Sequence, residues 1–252
     1  MTPSRSKTTR SSSASATSGF SASLGAYQGA VDARLTRMSK DNFARRFWAK
    51  DPTLWAADDK TARAVANRLG WLSVLESMRD DAVLIRALIS ESRFAGYTHA
   101  LLLGMGGSSL CPEVLRQTFG HQPGYLDLAV LDSTDPQAVL NAARRAPLEK
   151  TLFLVSTKSG STIETSSFFE YFFAQIEKKL GAKAGRHFVA ITDPGSSLIA
   201  LAEAKHFRRT YQNPSDIGGR YSALSYFGLV PAALMGIDVN RLLAGAMSLL
   251  PY

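Results

Sequence analysis

The chain has 252 residues, 45% of them hydrophobic and 20% charged, a balance that argues against a fibrous repeat or disorder through most of its length. No apolar run reaches the roughly 18 residues of a membrane-spanning helix, and the one cysteine, Cys111, cannot close an internal disulfide, which fits a reducing, cytoplasmic setting. The formal charge is +8, but Arg5, Lys7 and Arg10 precede the first acid, Asp32, leaving about +5 for the body, a field that suits an anionic metabolite at least as well as a nucleic acid.

Residues 1–22 are rich in Ser, Thr and Ala, with three cations and a single aromatic, Phe20. Such a segment buries too little apolar surface to offset its ordering entropy and reads as a disordered basic tail. A transit peptide shares this composition, although a flexible extension is the plainer reading. Residues 23–95 read as a helical lead-in. Leu24, Tyr27, Val31, Leu35 and Met38 recur at helical spacing, and Ala64, Leu69, Leu72 and Leu75 do so less regularly. Between them, Asp51-Pro52 marks a turn within FWAKDPTLW. Trp48, Trp55 and Trp71 are expected to pack these helices onto a larger body.

Beyond residue 96 short apolar runs alternate with amphipathic helices. Strands are expected at 99–104, 128–132, 151–156, 187–192 and, more weakly, 208–212. Helices are expected near 110–119, 136–144, 161–180, 196–205, 221–235 and 239–250. Strands apolar on both faces and separated by helices indicate a parallel sheet covered on both sides. The expected fold is an α/β three-layer sandwich of about five parallel strands over residues 96–252. In such sheets ligands sit beyond the carboxyl ends of the strands, so the strand-to-helix loops are where chemistry belongs.

Four loops carry it. In LLLGMGGSSLCPEVL (101–115) a buried strand runs into Gly104-Met105-Gly106-Gly107-Ser108-Ser109 before a helix near Pro112. The glycines let backbone N–H groups approach a ligand, and a helix start favours an anion. Alone it resembles a degraded dinucleotide fingerprint, with Asp132 where a ribose-binding acid would sit. The second loop, VSTKSGSTIETSSFF (155–169), gathers six hydroxyls around Lys158 and Gly160, a set that can surround a phosphate monoester. Ser161 and Glu164 also have capping-box spacing, so Glu164 reads first as a cap. In ITDPGSSL (191–198), Asp193 reads as a turn or cap residue rather than an acid catalyst. In the fourth loop Gly218-Gly219 sets Arg220 on a tight turn, where a guanidinium can meet a developing oxyanion.

Taken in order and spacing, GMGGSSLCPEV, STKSGSTIET, ITDP and GGRYSALSYFGLVPAALMGID resemble the first sugar-isomerase (SIS-type, flavodoxin-like) domain of the phosphoglucose isomerase family, over roughly residues 96–252. FWAKDPTLW and NRLGWL are similar to the lead-in of bacterial members, particularly those fused behind a transaldolase. The resemblance implies that Ser108, Thr157, Lys158, Ser159 and Thr162 hold a sugar phosphate, with Gly107 beside the substrate. Arg220 would stabilise the enediolate as a proton moves between C1 and C2 of glucose 6-phosphate and fructose 6-phosphate. Lys158 and Arg220 should then face a common cavity.

No cofactor or metal is implied, and a homodimer is. Cys111 departs from the usual glycine of the family pattern. The family's glutamate base lies in a Met-Glu-Ser-Asn-Gly-like stretch of a second domain, and no such stretch occurs in this sequence. None of His99, His121, His187 or His206 matches a catalytic histidine motif, and His187 reads as structural. The chain is therefore expected to be an N-terminal portion that binds sugar phosphate and turns it over poorly. Two alternatives stay open, a non-catalytic sugar-phosphate sensor and a nucleotide-dependent oxidoreductase built on Gly104–Ser109.

Overall fold

The computed structural model describes residues 23–250. The tail expected over residues 1–22 lies outside them. Contacts divide the chain into two units, with the boundary between Phe47 and Trp48.

In the first unit, helix α1 (Gln28–Lys40) leads to α2 (Phe43–Trp48), where Phe43 and Phe47 stack with ring centroids 6.0 Å apart. The apolar stripe read from the sequence lies on α1 and the turn before it, but Tyr27 and Leu35 are 75% and 56% exposed. Helical periodicity thus located the helix without showing what its face meets.

The second unit begins with α3 (Asp59–Ala66), capped by the Asp58 carboxylate, which accepts from the Thr61 N–H at 2.9 Å. Helix α4 (Val74–Phe94) follows and buries Val74, Leu75, Met78, Ala82, Ile85 and Leu88 against the sheet. The lead-in from Leu69 onward therefore packs as part of the sandwich. Of the three tryptophans, Trp71 lies partly buried against this cluster, whereas Trp48 and Trp55 are 42% and 46% exposed.

Five strands then alternate with helices: β1 (His99–Gly104), α5 (Leu110–Phe119), β2 (Asp127–Leu131), α6 (Pro136–Arg145), β3 (Thr151–Ser156), α7 (Ile163–Leu180), β4 (Phe188–Thr192), α8 (Ser197–Ala204) and β5 (Arg209–Gln212). Helices α9 (Tyr226–Leu234) and α10 (Val239–Met247) complete the described chain. All four strand pairings are parallel, in the order β2-β1-β3-β4-β5. That is the flavodoxin-like order.

Alternation along the strands feeds two cores. Leu102, Leu128, Leu154, Val189 and Ile191 face α4, α9 and α10. Leu101, Leu103, Phe153, Val155, Phe188 and Ala190 face α6, α7 and α8. The second core is aromatic. Phe188 lies between Phe153, 4.9 Å away and stacked, and Phe169, 5.5 Å away and edge-on, and it also meets Phe173 and Phe207. These geometries are the favoured ones for ring pairs. The result is a three-layer α/β sandwich.

Candidate active site

The strand order fixes where a ligand crevice opens. The chain leaves β1 toward β2 on one side and leaves β3 toward β4 on the other, so the two loops diverge and expose the gap between them. The loop after β1 turns at Gly106, whose φ of +56° is left-handed, and closes a short 3-10 turn over Gly106–Ser108. Helix α5 then runs from Leu110 to Phe119, the span expected from the sequence. The buried Ser156 hydroxyl donates to the Ser108 carbonyl at 3.2 Å and ties this turn to the end of β3.

After β3, the Thr157 N–H donates to the Ile191 carbonyl at 3.0 Å, and its hydroxyl meets that of Thr162, also at 3.0 Å. Thr162 is the residue before the first turn of α7, and no side chain caps that helix. The Ser161–Glu164 capping box is therefore not formed. The Ser161 hydroxyl donates instead to Ser159 at 3.0 Å, and the loop's hydroxyls bond among themselves in front of the α7 N-terminus. This leaves the first N–H groups of an 18-residue helix without a side-chain acceptor, an arrangement favourable to an anion.

Lys158 is the centre of the loop. Its ammonium forms an ion pair with Asp193 and donates to the Ser215 carbonyl at 2.7 Å. Asp193 is thus more than the turn residue its Asp-Pro-Gly context suggests. Burial pushes its carboxyl above the ordinary range, and Lys158 pulls against that shift by stabilising the charged form. The Asp193 N–H in turn donates to the Lys158 carbonyl at 3.1 Å, so the β3 and β4 loops are bound by both backbone and side chain.

The fourth loop meets the first. Gly107 lies against Gly219 so closely that a Cβ built on Gly107 would stand 2.7 Å from the Gly219 Cα and nearer still to its carbonyl. The Ser222 hydroxyl reaches the carbonyls of Gly107 at 3.1 Å and Gly219 at 2.7 Å. Cys111 sits behind this junction, half-buried, its thiol pushed up by burial and directed at the Ala223 carbonyl, 3.9 Å away.

These loops enclose a cleft of about 550 Å³ at the carboxyl end of the sheet. Gly107, Ser108, Lys158, Ser159 and Thr162 line it, joined by Asp193, Ser215 and Gly219. Thr157 is buried behind the lining, against Thr162. Arg220 follows Gly219 but is exposed and is not part of the lining, so of the two cations expected to share one cavity only Lys158 faces it. The reason is local: Arg220 is the second residue of a surface 3-10 turn (Gly219–Leu224), and a long cation at such a site keeps its head in water. Asp132 is exposed and Glu164 half-exposed, and neither lines the cleft.

Among the polar contributors that sequence reasoning missed are Asn67, Ser196, Ser215 and the Asp193 carboxylate. Asn67 belongs to the NRLGWL stretch already noted, which was the available signal. The Asp193–Lys158 pair spans 35 residues and left no local pattern. His187 is structural as read: buried, Nδ1 at 3.1 Å from the Thr151 carbonyl, and its ring edge-on to Tyr97. Among the described residues no group of three or more His, Cys, Asp or Glu side chains is arranged to hold a metal ion.

The family model for phosphoglucose isomerase matches residues 72–250. The chain belongs to the phosphoglucose isomerase family. Relatives named glucose-6-phosphate isomerase include one from Cyanothece sp., 35% identical over 163 residues, which are 63% of this chain and 30% of that protein. Another, from Thermus thermophilus, is 35% identical over 146 residues, 58% of this chain and 35% of that protein. The chain thus spans about a third of the length of these phosphoglucose isomerase relatives.

Solved structures agree in fold. A hypothetical protein, also from Thermus thermophilus, superposes with a TM-score of 0.70 at 31% identity, over 89% of this chain and 52% of that one. A glucose-6-phosphate isomerase from Chlamydia trachomatis gives a TM-score of 0.60 at 26% identity, over 80% of this chain and 37% of that one. No helix among the described residues is long and apolar enough to cross a membrane.

Proposed function

We propose that this chain is the phosphosugar-binding part of an aldose–ketose isomerase acting on glucose 6-phosphate and fructose 6-phosphate. The observation that carries the reading is the convergence of Ser108, Lys158, Ser159 and Thr162, from two diverging strand ends, on one cleft. Hydroxyls, a lysine ammonium and the free N–H groups of α7 hold the phosphate group of the substrate. Thr157 fixes the Thr162 hydroxyl from behind, and Gly107 gives the ligand close access to the backbone.

The sugar chain then extends toward Gly219, beside which Arg220 swings in to meet the enediolate oxygen. A guanidinium there acts only as negative charge develops, which is where stabilisation speeds the reaction. Proton transfer between C1 and C2 needs a carboxylate within about 3 Å of the proton. Among the cleft-lining residues the carboxylate is Asp193, and it is held by Lys158. The chain alone therefore binds its ligand and turns it over slowly. The same reading carries with it a cytoplasmic location, a homodimeric assembly and no role for nucleic acid.

Calorimetric titration of the purified chain with glucose 6-phosphate, fructose 6-phosphate and inorganic phosphate tests the proposal. All three should bind, and Lys158→Ala should weaken each by roughly ten- to hundredfold, the loss expected for a hydrogen bond to a charged group. Binding of a nicotinamide dinucleotide without phosphosugar competition would overturn the reading in favour of an oxidoreductase. Brisk isomerisation by the chain alone would overturn the statement about the missing base.

A further inference from the structure

Residues 67–71 are fastened to the loop at 215–221 in three ways. Leu69 and Ile217 form an isolated antiparallel bridge, the Gly70 N–H donates to the Asp216 carbonyl at 2.9 Å, and the Trp71 and Tyr221 rings stack 5.1 Å apart at 14°. A Cβ at Gly70 would overlap the Asp216 carboxylate, so any other residue there requires that side chain to move. The strap is therefore held in place beside the cleft rather than draped over it. Its first residue, Asn67, closes α3 and lines the cleft. The Asn67 backbone N–H is satisfied by the Arg63 carbonyl at 3.2 Å, and the residue is exposed, so its carboxamide is open to solvent and to a ligand in the cleft.

We infer that Asn67 is a specificity-determining residue that reads the hydroxyl-bearing carbon chain of the phosphosugar. The inference rests on the phosphosugar reading above. Most of the remaining polar lining suits an anion, with an ammonium, hydroxyls and helix N–H groups, and its carboxylate, Asp193, is held by Lys158. A carboxamide is different in kind, because it is neutral and both donates and accepts, which matches a hydroxyl and gives a phosphate dianion no special advantage. Its place fits as well. Asn67 lines the cleft together with Gly219, toward which the proposed sugar chain extends. A side chain on a mobile segment would lose most of such a contact to ordering entropy, but the strap has already been ordered by its three attachments.

The test compares two ligands on the same protein. In Asn67→Ala, affinity for glucose 6-phosphate should fall roughly three- to tenfold for each hydrogen bond removed, while affinity for inorganic phosphate stays within about twofold. Asn67→Asp, which keeps acceptors but loses the donor and adds a charge, should weaken both ligands. Equal losses for sugar phosphate and inorganic phosphate in Asn67→Ala, or no loss at all, would overturn the inference while leaving the phosphosugar reading intact. Failure of the unsubstituted chain to bind glucose 6-phosphate would remove both.

Discussion

Gly107→Ala is the substitution whose effect the structure fixes most tightly. The added methyl would stand 2.7 Å from the Gly219 Cα, against an ordinary carbon–carbon contact of about 3.5–4.0 Å. The obstacle is backbone, so no rotamer change relieves it, and the two turns must part by roughly 1 Å. Separation also strains the Ser222 bonds to Gly107 and Gly219, which hold the junction now. Overpacking of this kind costs about 1–3 kcal/mol. For a body of this size that is roughly 2–4 °C of melting temperature per kcal/mol.

The larger consequence falls on binding, since Ser108 and the turn bearing Arg220 shift relative to Lys158. Misplacement by about 1 Å can cost on the order of a hundredfold in a positioned site. Gly106→Ala is the control. Its Cβ meets nothing within 4 Å, so it carries only the conformational penalty of a φ of +56° and displaces no neighbour. Urea unfolding and phosphosugar titration on both variants separate the two effects. If Gly107→Ala binds like the unsubstituted chain while Gly106→Ala does not, the glycine contact is not what assembles the cleft.

Burial holds His187 below its ordinary value of 6.5, so the unfolded chain takes up a proton first as pH falls. Its contribution to stability is present above 6.5 and is lost as pH drops from there through the folded-state value. The urea midpoint should therefore decline between pH 8 and pH 5.5, and His187→Asn, which can keep the bond to Thr151, should flatten that decline; an unchanged slope in the variant would refute the assignment. Phe188→Ala removes the ring shared by four aromatic neighbours and should cost about 3–5 kcal/mol in equilibrium unfolding. A loss under about 1 kcal/mol would mean the aromatic core closes around the gap.

What the sequence disclosed and what it hid divide along physical lines. β1 and β3 were legible to the residue because HALLLG and TLFLVS are continuous apolar runs ending at Gly104 and Ser156, where polar turn residues take over. The end of α7 was equally plain at Gly181, which adopts a positive φ that ends a helix. The start of α7 was not, because Ser161 and Glu164 satisfy the capping-box pattern while Ser161 is drawn to Ser159 and Thr162 to Thr157. Those competing hydroxyls lie within the same loop, and pattern alone does not rank them.

The candidate site was half legible for a similar reason. Gly107, Ser108, Lys158, Ser159 and Thr162 lie on two local motifs and line one cleft. Asp193 and Asn67 enter through pairings between distant parts of the chain, which periodicity and turn chemistry do not register. Arg220 was singled out by its Gly-Gly context, but a turn's location does not say whether a long side chain lines the neighbouring cleft.

The bridge between Leu69 and Ile217 has a bearing on biosynthesis. One wall of the cleft is made early in translation and the surface that secures it is among the last parts of the described chain to emerge. Until Ile217 has cleared the ribosome, Asn67 has nothing to be fastened to, and a nascent polypeptide can possess both hydroxyl-rich loops without possessing the pocket. Ligand present during synthesis would then capture the protein only after this contact of long sequence separation has closed.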